Sequence, residues 1–130
     1  MKRFNKLIFV DEDDNSRAPM AKIIMKSKFL LGPLDIESRG LIVLFPEPMN
    51  QKAEAVLISN GYSVTAHEAR QLRQEDLGED VLVLTMEDAQ KEKIWENYEH
   101  AHHVYTLTEY ISLRGELPPL YGEPLKEYGK

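Results

Sequence analysis

Asp11, Glu12, Asp13, Asp14 and Arg17 are the residues of this chain whose types and spacing could do chemistry. The apolar run Leu7-Ile8-Phe9-Val10 ends abruptly in the four acids, and Arg17-Ala18-Pro19-Met20-Ala21 then opens a helical pattern. Strand, tight loop and helix start together present backbone N–H groups to an anion, here with Asn15, Ser16 and the Arg17 cation alongside. The acids oppose such a ligand. One carboxylate facing one phosphate charge at about 4 Å costs roughly 4 kcal/mol at an effective dielectric near 20. Phosphomonoester binding is therefore expected to be weak.

The surrounding chain must position that loop. Residues 5–11 read as a buried strand, and residues 17–29 as a helix with Asn15 or Ser16 as N-cap and Pro19 tolerated in its first turn. Gly32-Pro33 turns the chain. Asp35 to Ser38 reads as a weak strand ending at Arg39-Gly40, which Leu41 to Phe45 could extend on periodicity alone. Asn50 caps a helix with Ala53, Val56 and Leu57 on one face, closed by Asn60-Gly61 in a left-handed conformation. A short polar helix is expected over 67–75 and a buried strand over 80–86. A helix follows over 87–99 with Ile94 and Trp95 inward, then a last strand over 103–107. Strands alternating with helices imply one α/β domain over residues 1–130, with about four parallel strands covered on both faces in an α/β/α sandwich.

The totals agree with a globular domain. The chain has 130 residues, 42% hydrophobic and 29% charged, enough for a real core. A net charge of −6 disfavours nucleic acid or an anionic membrane as partner. No apolar stretch is long enough to span a bilayer, and the basic start, Met1 to Lys6, precedes too short an apolar run for a signal peptide. A cytoplasmic location is the expectation. The chain contains no cysteine. That removes disulfides, thiolate metal sites and sulfur nucleophiles.

The loop resembles the phosphate-binding loop of the low-molecular-weight protein tyrosine phosphatases, relatives of the arsenate reductases. That family places a nucleophilic Cys at the end of the first strand and an Arg six positions later, followed by Ser-Pro-Met-Ala. Arg17-Ala18-Pro19-Met20-Ala21 fits the latter half, with Ala18 for Ser. Asp11 takes the nucleophile position, and Asp13 and Asp14 stand where the family usually has Gly and Asn. Ser38-Arg39-Gly40-Leu41 resembles the family's Ser-Ala-Gly segment, with Arg39 for a small residue. His67-Glu68-Ala69-Arg70-Gln71-Leu72 follows its third-helix pattern, and the resemblance implies that His67 supports the loop together with Ser38 and Asp14. Near the end, Pro119-Leu120-Tyr121-Gly122 resembles the general-acid segment Asp-Pro-Tyr-Gly. Pro119 holds the acid's position and Tyr121 that of a pocket-rim residue. The resemblance thus implies a degenerate member lacking both nucleophile and proton donor. It also implies a missing closing helix, since the family usually continues past the position of Tyr128. The broad apolar arc over residues 18–29 would then be covered by a homodimer or another protein, or by the tail after Leu113 folding back over it.

Three uses of the acidic loop follow. In the first, Asp11 turns inward, accepts from backbone N–H groups and pairs with Arg17, which should depress its pKa. The result is a non-catalytic binding, sensing or interaction module without a cofactor. In the second, Asp11 and Asp13 bind Mg²⁺ or Ca²⁺ and Asp11 accepts a phosphoryl group. Phe9-Val10-Asp11-Glu12-Asp13 superficially resembles the haloacid-dehalogenase motif and the acidic start of receiver domains. No second acidic strand end and no well-placed Lys completes either set. In the third, the acids are a solvated loop meeting the helix dipole, by about 0.3–1 kcal/mol each. His100, His102 and His103 read as a solvated turn rather than a metal site.

Overall fold

The structure, a computed structural model, describes residues 4–28, 35–64 and 67–114. Four parallel strands form one sheet: β1 (Lys6–Asp11), β2 (Asp35–Gly40), β3 (Val81–Thr85) and β4 (Val104–Thr106), in the order β2-β1-β3-β4. Lys6 pairs with Asp35 on one side of β1 and with Val81 on the other. Chain order therefore runs outward from β1 in both directions, and the loop after β1 lies at the point where the order reverses. Open α/β sheets place their ligand crevices there.

Alternation along β1 divides the core. Leu7 and Phe9 point into a cluster with Met20, Ile24, Ala53, Leu57 and Leu84, which packs α1 (Arg17–Lys28) and α2 (Gln51–Ser59) on one face. Ile8 and Val10 point the other way, to Leu72, Val83 and Ile94, the last on α3 (Asp88–Asn97). A strand buried on both sides must be apolar throughout, which is why Leu7 to Val10 is an unbroken run. Helices thus cover both faces of the parallel sheet.

Several local expectations are met. Asn50 Oδ1 accepts from the amides of Lys52 (2.9 Å) and Ala53 (3.2 Å), capping α2. Gly61 closes α2 with φ +87°, a conformation that glycine adopts without a side-chain penalty.

Others are corrected. Leu41 to Phe45 does not extend β2: the chain leaves the sheet, with Ile42, Leu44 and Phe45 55%, 80% and 67% exposed. The polar helix expected over 67–75 is absent, leaving only a 3-10 turn at Gln74–Asp76. Its amides are used elsewhere. Ala69 N donates to Glu47 O, Arg70 N to Asp14 Oδ2 and Leu72 N to Gly40 O, each at 2.8 Å, so helical i→i−4 bonds cannot form. Trp95 is not core but 52% exposed, with Lys91 Nζ 5.3 Å from its ring centroid. A further helix, α4 (Leu107–Arg114), follows β4 directly. Thr106 Oγ1 accepts from Glu109 N at 3.0 Å and Glu109 Oε1 from Thr106 N at 3.1 Å, a reciprocal capping box. On α1 the side chains Ala18, Met20, Ala21, Ile24 and Met25 are buried, with Ile23 partly buried beside them. Phe29, the Gly32-Pro33 turn, Pro119, Tyr121 and the position of a closing helix lie outside the described residues.

Candidate functional site

The end of β1 delivers Asp11 into the mouth of the loop, where it is 3% exposed. Its Oδ1 accepts from Asp14 N at 2.6 Å and its Oδ2 from Ala18 N at 2.9 Å. The second bond is the helix cap of α1. Ser16 holds the N-cap position, its carbonyl accepting from Met20 N at 3.2 Å, but its Oγ donates to Asn15 Oδ1 (2.9 Å) and Asn15 Nδ2 reaches Glu47 Oε2 (3.4 Å), so neither side chain caps. One carboxylate therefore satisfies donors of both the loop and the helix start.

The expected pairing of Asp11 with Arg17 is not made. Arg17 Nη2 instead meets Glu87 Oε2 at 3.2 Å, just beyond the end of β3. The expected fall in the Asp11 pKa is reversed as well. Burial pushes the carboxyl from 3.8 up to about 6, outweighing the two N–H donors, and the neighbouring Asp14 and Asp13 charges add to the rise. Without a guanidinium against it, two hydrogen bonds do not repay the loss of water.

Asp14 is fully buried and takes the left-handed conformation at φ 55°. Asp and Asn tolerate that region better than most residues. Its Oδ2 accepts from Arg70 N at 2.8 Å, and its carbonyl oxygen meets His67 Nε2 at 2.7 Å, so His67 donates there from Nε2. Burial raises the Asp14 pKa, while the Ser38 hydroxyl, the Arg70 amide and the His67 and Lys22 charges pull it down. Ser38 Oγ acts on that carboxyl from nearby, yet neither it nor Asp14 Oδ1 has a partner in good hydrogen-bond geometry. Ser38, His67 and Asp14 are thus brought together behind the loop.

Glu12 and Asp13 face outward, Glu12 within 3.4 Å of Lys93 Nζ. Both oxygens of Asp11 accept from the backbone, while Asp13 is exposed. Among the described residues no three His, Asp or Glu side chains gather as a metal site. The rings of His100 and His102 stand 5.9 Å apart, and that of His103 packs edge-on against Phe4.

Gly40 explains the tightness of the loop. A Cβ there would lie 2.6 Å from Val43 Cγ2, 2.7 Å from Asp13 C and 2.8 Å from Asp14 N. The neighbouring Arg39, which stands for a small residue, is accommodated sideways. It is 9% exposed, donating to Ser38 O at 2.7 Å and pairing with Asp76 Oδ2 (3.3 Å) and Glu37 Oε1 (3.5 Å). Glu87, Arg70 and Gln71 are the site residues that sequence reasoning did not single out. Adjacent parallel strands bring their following residues to one edge, so pairing β1 with β3 would have pointed to Glu87 as the partner of Arg17.

Known proteins place this geometry. Residues 6–123 match the family model described as low molecular weight phosphotyrosine protein phosphatase. The low molecular weight protein-tyrosine-phosphatase PtpB of Staphylococcus epidermidis is 31% identical over 124 residues, covering 95% of this chain and 86% of the relative. PtpB of Staphylococcus aureus is 28% identical over 123 residues with the same coverage. Among solved structures, the low molecular weight protein tyrosine phosphatase from T. tengcongensis superposes with a TM-score of 0.76 at 29% identity, covering 95% of this chain and 92% of that one. The YwlE arginine phosphatase from Geobacillus stearothermophilus gives 0.79 at 25% identity, covering 96% and 86%. With strand order, loop position and matched span in agreement, this cysteine-free chain belongs to the low molecular weight phosphotyrosine protein phosphatase family.

Proposed function

We propose that this protein is a catalytically degenerate family member that works by binding rather than by phosphoryl transfer, as an interaction or sensing module of the cytoplasm. One observation carries the reading: the Asp11 carboxylate occupies the donors of the loop itself, accepting from Asp14 N and Ala18 N. A cysteine phosphatase needs a thiolate, cationic and N–H donors for the phosphoryl oxygens, and an acid for the leaving group. The thiolate is impossible in a chain without cysteine. Arg17 is held by Glu87. An incoming phosphate would have to displace Asp11 from its two amides and then sit beside its charge.

The relatives named as tyrosine or arginine phosphatases lend the fold and loop position, not the chemistry. The test is turnover of an aryl phosphate by the purified protein, alone and with millimolar Mg²⁺ or Ca²⁺. No turnover in any arm is expected. Hydrolysis that scales with enzyme and disappears in Asp11→Asn would overturn the reading in favour of Asp11 as a phosphoacceptor.

A further inference from the structure

The chain leaving β2 makes an unusual surface. Leu44 and Phe45 are 80% and 67% exposed, yet the backbone that presents them is tied down. Gln71 Nε2 donates to Leu41 O at 2.6 Å, Gln71 Oε1 accepts from Val43 N at 2.9 Å, and Ala69 N donates to Glu47 O at 2.8 Å. A segment fixed at three points that still holds two large apolar side chains in water spends hydrophobic free energy that burial would recover.

Beside it lies a cavity of about 490 Å³, whose lining includes Val43, Leu44, Phe45 and Pro46 together with Arg39, Arg70 and Arg73. That volume falls within the usual range for ligand sites, about 300–1,000 Å³. Asp76 also lines it, but its carboxylate is committed to Arg39 at 3.3 Å and to Arg73 N at 2.9 Å. Arg70 and Arg73 are both exposed, and among the described residues their guanidinium groups have no ion pair. On a chain of net charge −6, two exposed arginines beside an exposed Leu-Phe pair are a local reversal of the overall charge. None of residues 11–17 lines this cavity.

We propose that this cavity docks an acidic peptide segment of a partner protein, with carboxylates on Arg70 and Arg73 and an apolar side chain against Leu44 and Phe45. Guanidinium groups pair with carboxylates through two parallel N–H donors, and the apolar wall supplies the area that a charge contact alone lacks. The inference deepens the reading of the chain as a binding module by naming the site and the chemistry of its partner.

The test is an amide-resolved NMR titration of the full chain with the synthetic peptide acetyl-Glu-Leu-Glu-Phe-Glu-amide, against the same peptide with lysine for glutamate. Shifts are expected at residues 39–46 and 69–73 with the acidic peptide only. Arg70→Glu/Arg73→Glu should weaken them by about tenfold or more while leaving the remaining spectrum in place, as loss of charge-assisted contacts demands. Phe45→Ser should weaken them too. Three results would each overturn the proposal: no shifts at millimolar peptide, equal response to the lysine peptide, or the same amides shifting when the protein alone is concentrated. The last would assign the surface to a second copy of the chain. Aryl phosphate turnover, assayed on the same sample, decides the non-catalytic reading separately.

Discussion

Replacing Asp11 by Asn tests the energetics of the loop most directly. Folding raises the Asp11 pKa from 3.8 to about 6, chiefly through burial. At roughly 1.4 kcal/mol per pH unit, that rise corresponds to about 3 kcal/mol. The sign follows from proton binding. Between about pH 4 and 6 the folded chain holds a proton that the unfolded chain has already released, so Asp11 makes the fold less stable as pH rises through that window. Below pH 4 both states are protonated, and the full advantage of the neutral group is present. Of the total, about 2 kcal/mol should fall between pH 4.5 and 7.5.

Burial raises the Asp14 carboxyl too, so the informative quantity is a difference. Asp11→Asn keeps one acceptor oxygen and turns an NH₂ toward the second backbone donor, a penalty that does not vary with pH. Urea unfolding of both proteins from pH 4.5 to 7.5, extrapolated linearly to water, gives that difference. The wild type should lose about 2 kcal/mol relative to the variant across the range. A difference that stays flat, or that grows in favour of the wild type with rising pH, would refute the claim that burial outweighs the two N–H donors. The Asp11 side-chain ¹³C resonance supplies an independent check, with an expected midpoint near 6.

Two further substitutions probe the scaffold. Gly40→Ala would force a methyl within 2.8 Å of backbone atoms of Asp13 and Asp14; a loss of about 2 kcal/mol or more is expected in urea unfolding, with displaced amide shifts throughout the loop. Asn50→Ala removes the acceptor for Lys52 N and Ala53 N; it should cost about 1 kcal/mol, seen as a fall in Tm.

The sheet was legible because its signals are local and strong. Leu7 to Val10 and Val81 to Thr85 are apolar runs bounded by turns, and Asn50 and Gly61 mark the ends of α2 by side-chain and backbone chemistry that acts over a few residues. The sequence also placed Asp11, Ser38, His67 and Arg17 around one loop through the resemblance. What it could not supply was competition between partners. Arg17 had two carboxylates to choose from, and only the packing of β3 against β1 brings Glu87 within 3.2 Å. Residues 67–75 look helical in isolation, but Glu47, Asp14 and Gly40 take three of their amides. Trp95 shows that an aromatic on a helix need not be core. The start of α4 does have a local signal, since Thr106-Leu107-Thr108-Glu109 has the T-x-x-E spacing of a capping box.

A bound anion steadies a protein only in proportion to how often it is there, by RT ln(1 + [L]/Kd). The carboxylate that Asp11 places against Asp14 N and Ala18 N is tethered to the chain and cannot leave by diffusion. If the protein is the binding module proposed above, the order of the loop does not depend on how much phosphate surrounds it. On the proposed reading, the chain carries its own anion in the cradle, and a ligand would be met at another surface.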